Sequence, residues 1–223
     1  MQKETGKKII FISIFAVIGI ILMQIPFTKI IGSKLNFSLF DFYGPIAGSF
    51  MGSVWGIIGV LAMQVINWAW HGFAIDSATI IRFFPMLFAV LYFAKKSKLM
   101  LLIPAAAMIA FWAHPEGRIA WYYALYWLIP IIAYFWHDKY VFARALGTTF
   151  TAHAVGGVLF IWTFNLKAAV WISLIPIVWK ERGLMAIGIT LTYLATSYLL
   201  KFASKKIPWL GTLKLHPGYS YQK

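Results

Sequence analysis

Residues 35–70 read LNFSLFDFYGPIAGSFMGSVWGIIGVLAMQVINWAW, an apolar run of 36 residues broken by few strongly polar side chains, among them Asn36, Asp41 and Gln64. At about 1.5 Å per residue a single helix of this length would reach about 54 Å, whereas the hydrocarbon core of a bilayer is about 30 Å thick. Two readings remain: one tilted helix with an overhang, or two short helices meeting near residues 50–52. The glycines sharpen the choice. Gly44, Gly48, Gly52 and Gly56 recur every four residues, with Gly59 beyond. On a continuous helix they form one bare stripe, which lets a neighbouring backbone approach closely. The stripe reads either as internal packing or as a docking face for another subunit. A turn at Gly52 would divide it between two helices.

The rest of the chain has the same character. Of 223 residues 61% are hydrophobic and 12% are charged, where a soluble domain runs nearer half and a quarter. That excludes an ordinary soluble globule and a disordered chain. The net charge of +14 would suggest nucleic acid on a soluble protein. Here the bases cluster between apolar runs, as in a multi-pass cell-membrane protein, and no nucleic-acid partner is expected. Cysteine is absent, which removes disulfides, thiolate metal sites and a cysteine nucleophile.

Working outward, the spans read Ile9–Phe27, Ala78–Ala94, Leu99–Trp112, Ile119–Trp136, Val141–Thr163 and Leu174–Leu200. Lys180-Glu181-Arg182 interrupts the last. Residues 1–8 form a basic leader with no small-x-small cleavage site after the apolar run, and residues 201–223 a basic tail. If residues 35–70 pass twice, eight crossings place 13 of the 20 Lys and Arg inside, six outside and Arg82 within a span. A single pass would put Lys95, Lys96 and Lys98 opposite the N-terminal lysines and weaken the positive-inside bias. The expectation is an all-α, polytopic transmembrane bundle of six to eight membrane-crossing or re-entrant helices. It forms a single domain over 1–223, with both termini cytoplasmic.

The scarce polar residues carry the functional reading. The outer face collects Asn36, Asp41, Asn67, His71, Asp76, His114, Glu116, Arg118, Asn165 and Glu181, flanked by Trp112, Trp121, Tyr122 and Tyr123. An aromatic interface belt and polar loops would account for them; so would a pocket opening to that face. Arg82 and His153 lie within spans, where ionisable groups are costly and face a cavity or a partner. Arg82 could equally snorkel from a helix end, and His153 could hydrogen-bond a neighbouring helix. The chain has no zinc-protease helix, no phosphate loop and no nucleophile elbow, so no catalytic residues and no cofactor are expected. The competing readings are a metal-dependent membrane enzyme or metal-binding protein using His71, His114, His153, Glu116 and Glu181, an ion-coupled transporter, and a structural membrane subunit.

Four stretches resemble a known family. Lys34-Leu35-Asn36-Phe37-Ser38-Leu39-Phe40-Asp41, then Gly44-Pro45-Ile46-Ala47-Gly48 and Gly52-Ser53-Val54-Trp55-Gly56, are similar to the early segment of the substrate-binding S components of energy-coupling factor vitamin transporters. Leu174-Ile175-Pro176-Ile177-Val178-Trp179-Lys180 resembles the start of their final helix, with Val178 where Asn is common. Asn36 stands where Asp is usual, and the first span offers Ser13, Ala16 and Gly19 in place of an Ala-x-x-x-Ala pair. The resemblance implies a binding component that captures a small vitamin-like molecule at the outer face. A transmembrane coupling subunit and paired ATPases would act on it. It implies that Asn36 and Asp41 belong to a capping loop, that Lys180 contacts the ligand and that Trp and Tyr rings stack on it. With the polar residues above, the expected ligand site comprises Asn36, Asp41, Asn67, Arg82, Trp112, His114, Tyr123, His153, Lys180 and Glu181. The resemblance also implies docking through Gly44, Gly48, Gly52 and Gly56.

Overall fold

A computed structural model describes residues 2–29, 36–207 and 210. Lys34 and Leu35 of the family-like motif, and the tail beyond residue 210, lie outside the described residues. The bundle opens with α1 (Gln2–Met23), ended by Pro26, which cannot continue a helix. Residues 26–29 and 36–38 form a short antiparallel pair, β1 and β2, pairing Pro26 with Ser38 and Lys29 with Asn36. Then follow α2 (Phe40–Tyr43), a 3-10 turn at Gly44–Ile46 and α3 (Ala47–Trp70).

The chain reverses within α3. Gly52 has φ 82 and ψ 171, a conformation that essentially only glycine adopts. A Cβ on Gly56 would lie 3.1 Å from the Gly48 Cα. Along a straight helix, residues eight apart are separated by about 12 Å, so the two arms must fold back on each other. The first arm, residues 40–51, reaches about 18 Å, and the second, residues 53–70, about 27 Å. The run is therefore a helical hairpin, the second of the two sequence readings. All four glycines are buried. A Cβ on Gly44 would strike the Met86 sulfur, and one on Gly48 would strike the Val90 carbonyl and the Ala94 methyl. The stripe is consumed by packing against α4 and against itself, and offers no face to a partner.

α4 (Ser77–Ala94) starts on Asp76, whose carboxylate accepts from the Thr79 N–H at 3.0 Å and the Thr79 hydroxyl at 2.6 Å. α5 (Leu99–Ala113) leads to the short α6 (Pro115–Ile119). The expected span Ile119–Trp136 is not one α-helix: 3-10 turns at Trp121–Trp127 and Tyr134–Trp136 flank α7 (Leu128–Ala133). With a rise of about 2.0 Å per 3-10 residue, these 16 residues still cover about 29 Å. α8 (Val141–Phe164) ends at Asn165 in the left-handed region. α9 (Ala168–Lys206) is one helix of 39 residues, uninterrupted by Lys180-Glu181-Arg182.

Among the described residues five helices are long and apolar enough to cross a membrane, and α5 is apolar but shorter. Their outer faces are apolar, with Ile14, Val54 and Leu191 all more than half exposed, while several of the polar side chains point inward. That is the inverse of a soluble fold and the arrangement of a polytopic membrane bundle. Phe11 and Tyr193 both lie against Phe50, so the start of α1 and the end of α9 leave from one end of the bundle. Gln24, Asn36, Asn67 and Arg82 gather at the other. Two cores result. One joins α1 and the α3 hairpin to α4 and the lower part of α9. The other joins α5, the 3-10 segment, α8 and the upper part of α9.

Candidate functional site

Between the two cores lies a cavity of about 670 Å³, within the range of sites for small organic ligands. Its lining draws on both cores, with Met86, Ala89 and Ile189 from one and Tyr123, Trp171 and Val178 from the other. Exposed Gln24, Asn36, His71 and Ala74 mark its rim, at the end of the bundle that carries the β pair.

The rim is tied together by hydrogen bonds. The Gln24 amide donates to Asn67 Oδ1 at 2.7 Å, and His71 Nδ1 lies 2.8 Å from the Asn67 carbonyl. The Arg82 guanidinium donates to the Asn36 carbonyl, which fixes β2 over α4. Asp41 takes the Ser38 N–H at 2.7 Å and faces both Arg82 and Arg182. Deeper, Arg182 pairs with Glu181, reaches the Thr149 hydroxyl at 3.4 Å and stacks on the Phe37 ring at 4.9 Å. Two cations and two carboxylates therefore share the cavity. Trp68, Phe83, Phe160 and Trp171 supply apolar wall. His153 lies 2.9 Å from the Tyr123 hydroxyl and accepts from the Trp127 indole at 3.1 Å.

Of the ten expected ligand residues, Asn36, Asp41, Asn67, Arg82, Tyr123, His153 and Glu181 line this cavity. Trp112, His114 and Lys180 do not. The Trp112 indole donates to the Trp121 carbonyl at 2.9 Å. His114 accepts the Glu116 N–H and sits edge-on to Trp162, so both residues are satisfied within the outer loops. Lys180 points away over Trp179. Helical spacing explains this: Leu174, Val178, Glu181, Arg182, Met185 and Ile189 form one lining face of α9, and residue 180 lies off it. The same spacing identifies Arg182, Thr149 and Gln64, which the sequence reading did not place in the site.

Glu116 has a structural task outside the cavity. It accepts from the Ala168 N–H at 2.8 Å and from Lys167 Nζ at 3.0 Å, capping α9 from across the bundle. The Ala168 N–H and then the Lys167 ammonium hold its carboxyl below the usual carboxylate range. Among the described residues no three His, Asp or Glu side chains converge on a metal-binding position. His71, His114, His153, Glu116 and Glu181 therefore form no common donor set, because each is engaged locally. Comparison with protein-family models, curated proteins and solved structures finds no match to this chain. The site's chemistry rests on its own geometry.

Proposed function

We propose that this chain is a membrane-embedded substrate-binding component that captures a small vitamin-like molecule, in the manner of the S component of an energy-coupling factor importer. The observation that carries this reading is the cavity of about 670 Å³ that opens at one end of an apolar helical bundle. Its aromatic walls suit a flat molecule, and its balanced charges suit polar groups on that molecule. The β pair sits over the mouth as a cap, held through Arg82 and through Phe37 on Arg182. The basic residues Lys95, Lys96 and Lys98 lie at the end opposite the mouth, which supports a cavity facing outward under the positive-inside bias. The chain carries no phosphate loop, so movement of the ligand would draw energy from a coupling subunit with its ATPases. The docking surface for that subunit must lie outside the glycine stripe, which is buried.

The test is native mass spectrometry of the detergent-solubilised protein, with extraction and identification of any retained small molecule. The expected result is one dominant ligand on the wild type. Ala152→Phe places a ring in the cavity from α8 and should abolish retention while the helical content persists. A wild-type protein that retains nothing, and binds nothing from a pooled metabolite extract, overturns the reading.

A further inference from the structure

The hydrogen bonds around His153 specify what the cavity asks of its ligand. An indole N–H is only a donor, so the Trp127 bond at 3.1 Å requires a lone pair on His153 Nδ1. A neutral imidazole carries its single proton on the other nitrogen. His153 Nε2–H therefore donates to the Tyr123 oxygen at 2.9 Å. That bond uses the hydroxyl as an acceptor and leaves its own proton to be donated elsewhere. Tyr123 is 1% exposed and lines the cavity, and no other acceptor for its hydroxyl stands among the described residues. A second orphan donor lies close by. Arg182 Nε is buried and has no hydrogen-bond partner, although the guanidinium's other nitrogens bond Glu181 and Thr149. Arg182, Glu181 and Tyr123 all line the same cavity.

We propose that Trp127, standing behind the cavity wall, positions the Tyr123 hydroxyl through the His153 tautomer as a hydrogen-bond donor, and that with Arg182 Nε it selects a flat, net-uncharged ligand bearing a carbonyl oxygen. A carbonyl has two lone pairs and can take both donors. Net charge on the ligand is disfavoured, since the cavity already holds two guanidinium and two carboxyl groups, with Arg182 paired to Glu181. Trp127 is a positioning residue, because it reaches the ligand only through His153 and Tyr123.

The inference rests on the ligand-capture reading, and two measurements separate their failures. The first uses no ligand. The full chain, labelled with 15N-histidine in detergent, gives long-range imidazole correlations, with His153 assigned by its loss in His153→Asn. Protonated Nε2 with unprotonated Nδ1 is expected in the wild type, and Trp127→Phe should release the ring into a mixture of tautomers. A wild-type His153 protonated at Nδ1 or at both nitrogens overturns the proposal, as does an unchanged tautomer in a folded Trp127→Phe protein. The wild-type spectrum decides even where that variant fails to fold. The second measurement titrates 1-indanone and indane, which differ by one carbonyl oxygen, against tryptophan fluorescence, with partition into empty micelles subtracted. The ketone should bind about tenfold tighter, and the ratio should fall towards one in Tyr123→Phe. Equal binding of the two probes to the wild type overturns the proposal. A correct tautomer in a protein that retains no cellular ligand defeats the capture reading alone.

Discussion

Around Gly52 the chain turns by leaving side chains out; between Trp121 and Trp136 it descends by putting rings in. In the first region Gly48 and Gly56 touch through their backbones and lie against Val90. In the second, Phe111 packs against Tyr123, Trp127 and Trp171 with ring centroids 5.1–5.8 Å apart. Within lipid there is little hydrophobic gain from joining two apolar helices, so contact density carries the association. Close backbones supply it in one place and interlocked rings in the other. Each choice suits its neighbourhood. The hairpin must reverse in the space beside α4, while the aromatic layer forms the cavity wall and needs bulk and polar tips.

Substitutions should separate the two strategies. The largest effect is expected from Phe111→Ala, which empties a fully buried site shared by three rings and should cost about 3–5 kcal/mol in unfolding experiments in mixed micelles. A loss well below that would mean the rings can close up and are not interlocked. Gly48→Ala comes next, at about 3 kcal/mol, because the added methyl meets the Val90 carbonyl and a second methyl, at 2.9 Å, on Ala94. Tolerance of Gly48→Ala would show that the first hairpin arm is not in close contact with α4. Gly52→Ala should cost about 1–3 kcal/mol through its backbone angles alone, since a Cβ is disfavoured at φ 82. An unchanged melting temperature in Gly52→Ala would remove the reversal itself. The smallest effect belongs to Glu116. Its folded-state acidity is strengthened, so its cap on α9 contributes fully above the ordinary carboxylate range and is lost as pH falls through the depressed value. The wild type should therefore lose thermal stability on acidification by more than Glu116→Gln does. Parallel pH profiles of the two proteins would contradict the cap.

The sequence showed the helical class and most of the apolar spans, and it offered the turn near residues 50–52 as one of two readings, because length against bilayer thickness and the charge distribution constrain them. Seven of the ten expected ligand residues line one cavity because polar groups in so apolar a chain have few places to go. Lys180 and Arg182 differ only in the face of α9 they occupy, and the register of that face depends on which neighbours α9 packs against. Trp112 and His114 found partners within the loops, a local outcome that residue type does not reveal. The 3-10 geometry of residues 121–127 had no signal, because its hydropathy matches that of an α-helix. The uninterrupted α9 depended on a pairing across one peptide bond, Glu181 with Arg182, which sets two costly charges against each other.

α9 places the Glu181–Arg182 pair and the terminal Lys201, Lys205 and Lys206 on one rod about 58 Å long. A tilt of about 5° forced on it at the cavity sweeps its lysine-bearing tip, about 36 Å further along, sideways by about 3 Å, given the rise per residue. Under the proposed ligand capture, occupancy of the cavity would be read at the far end of the bundle with no relay of intervening side chains.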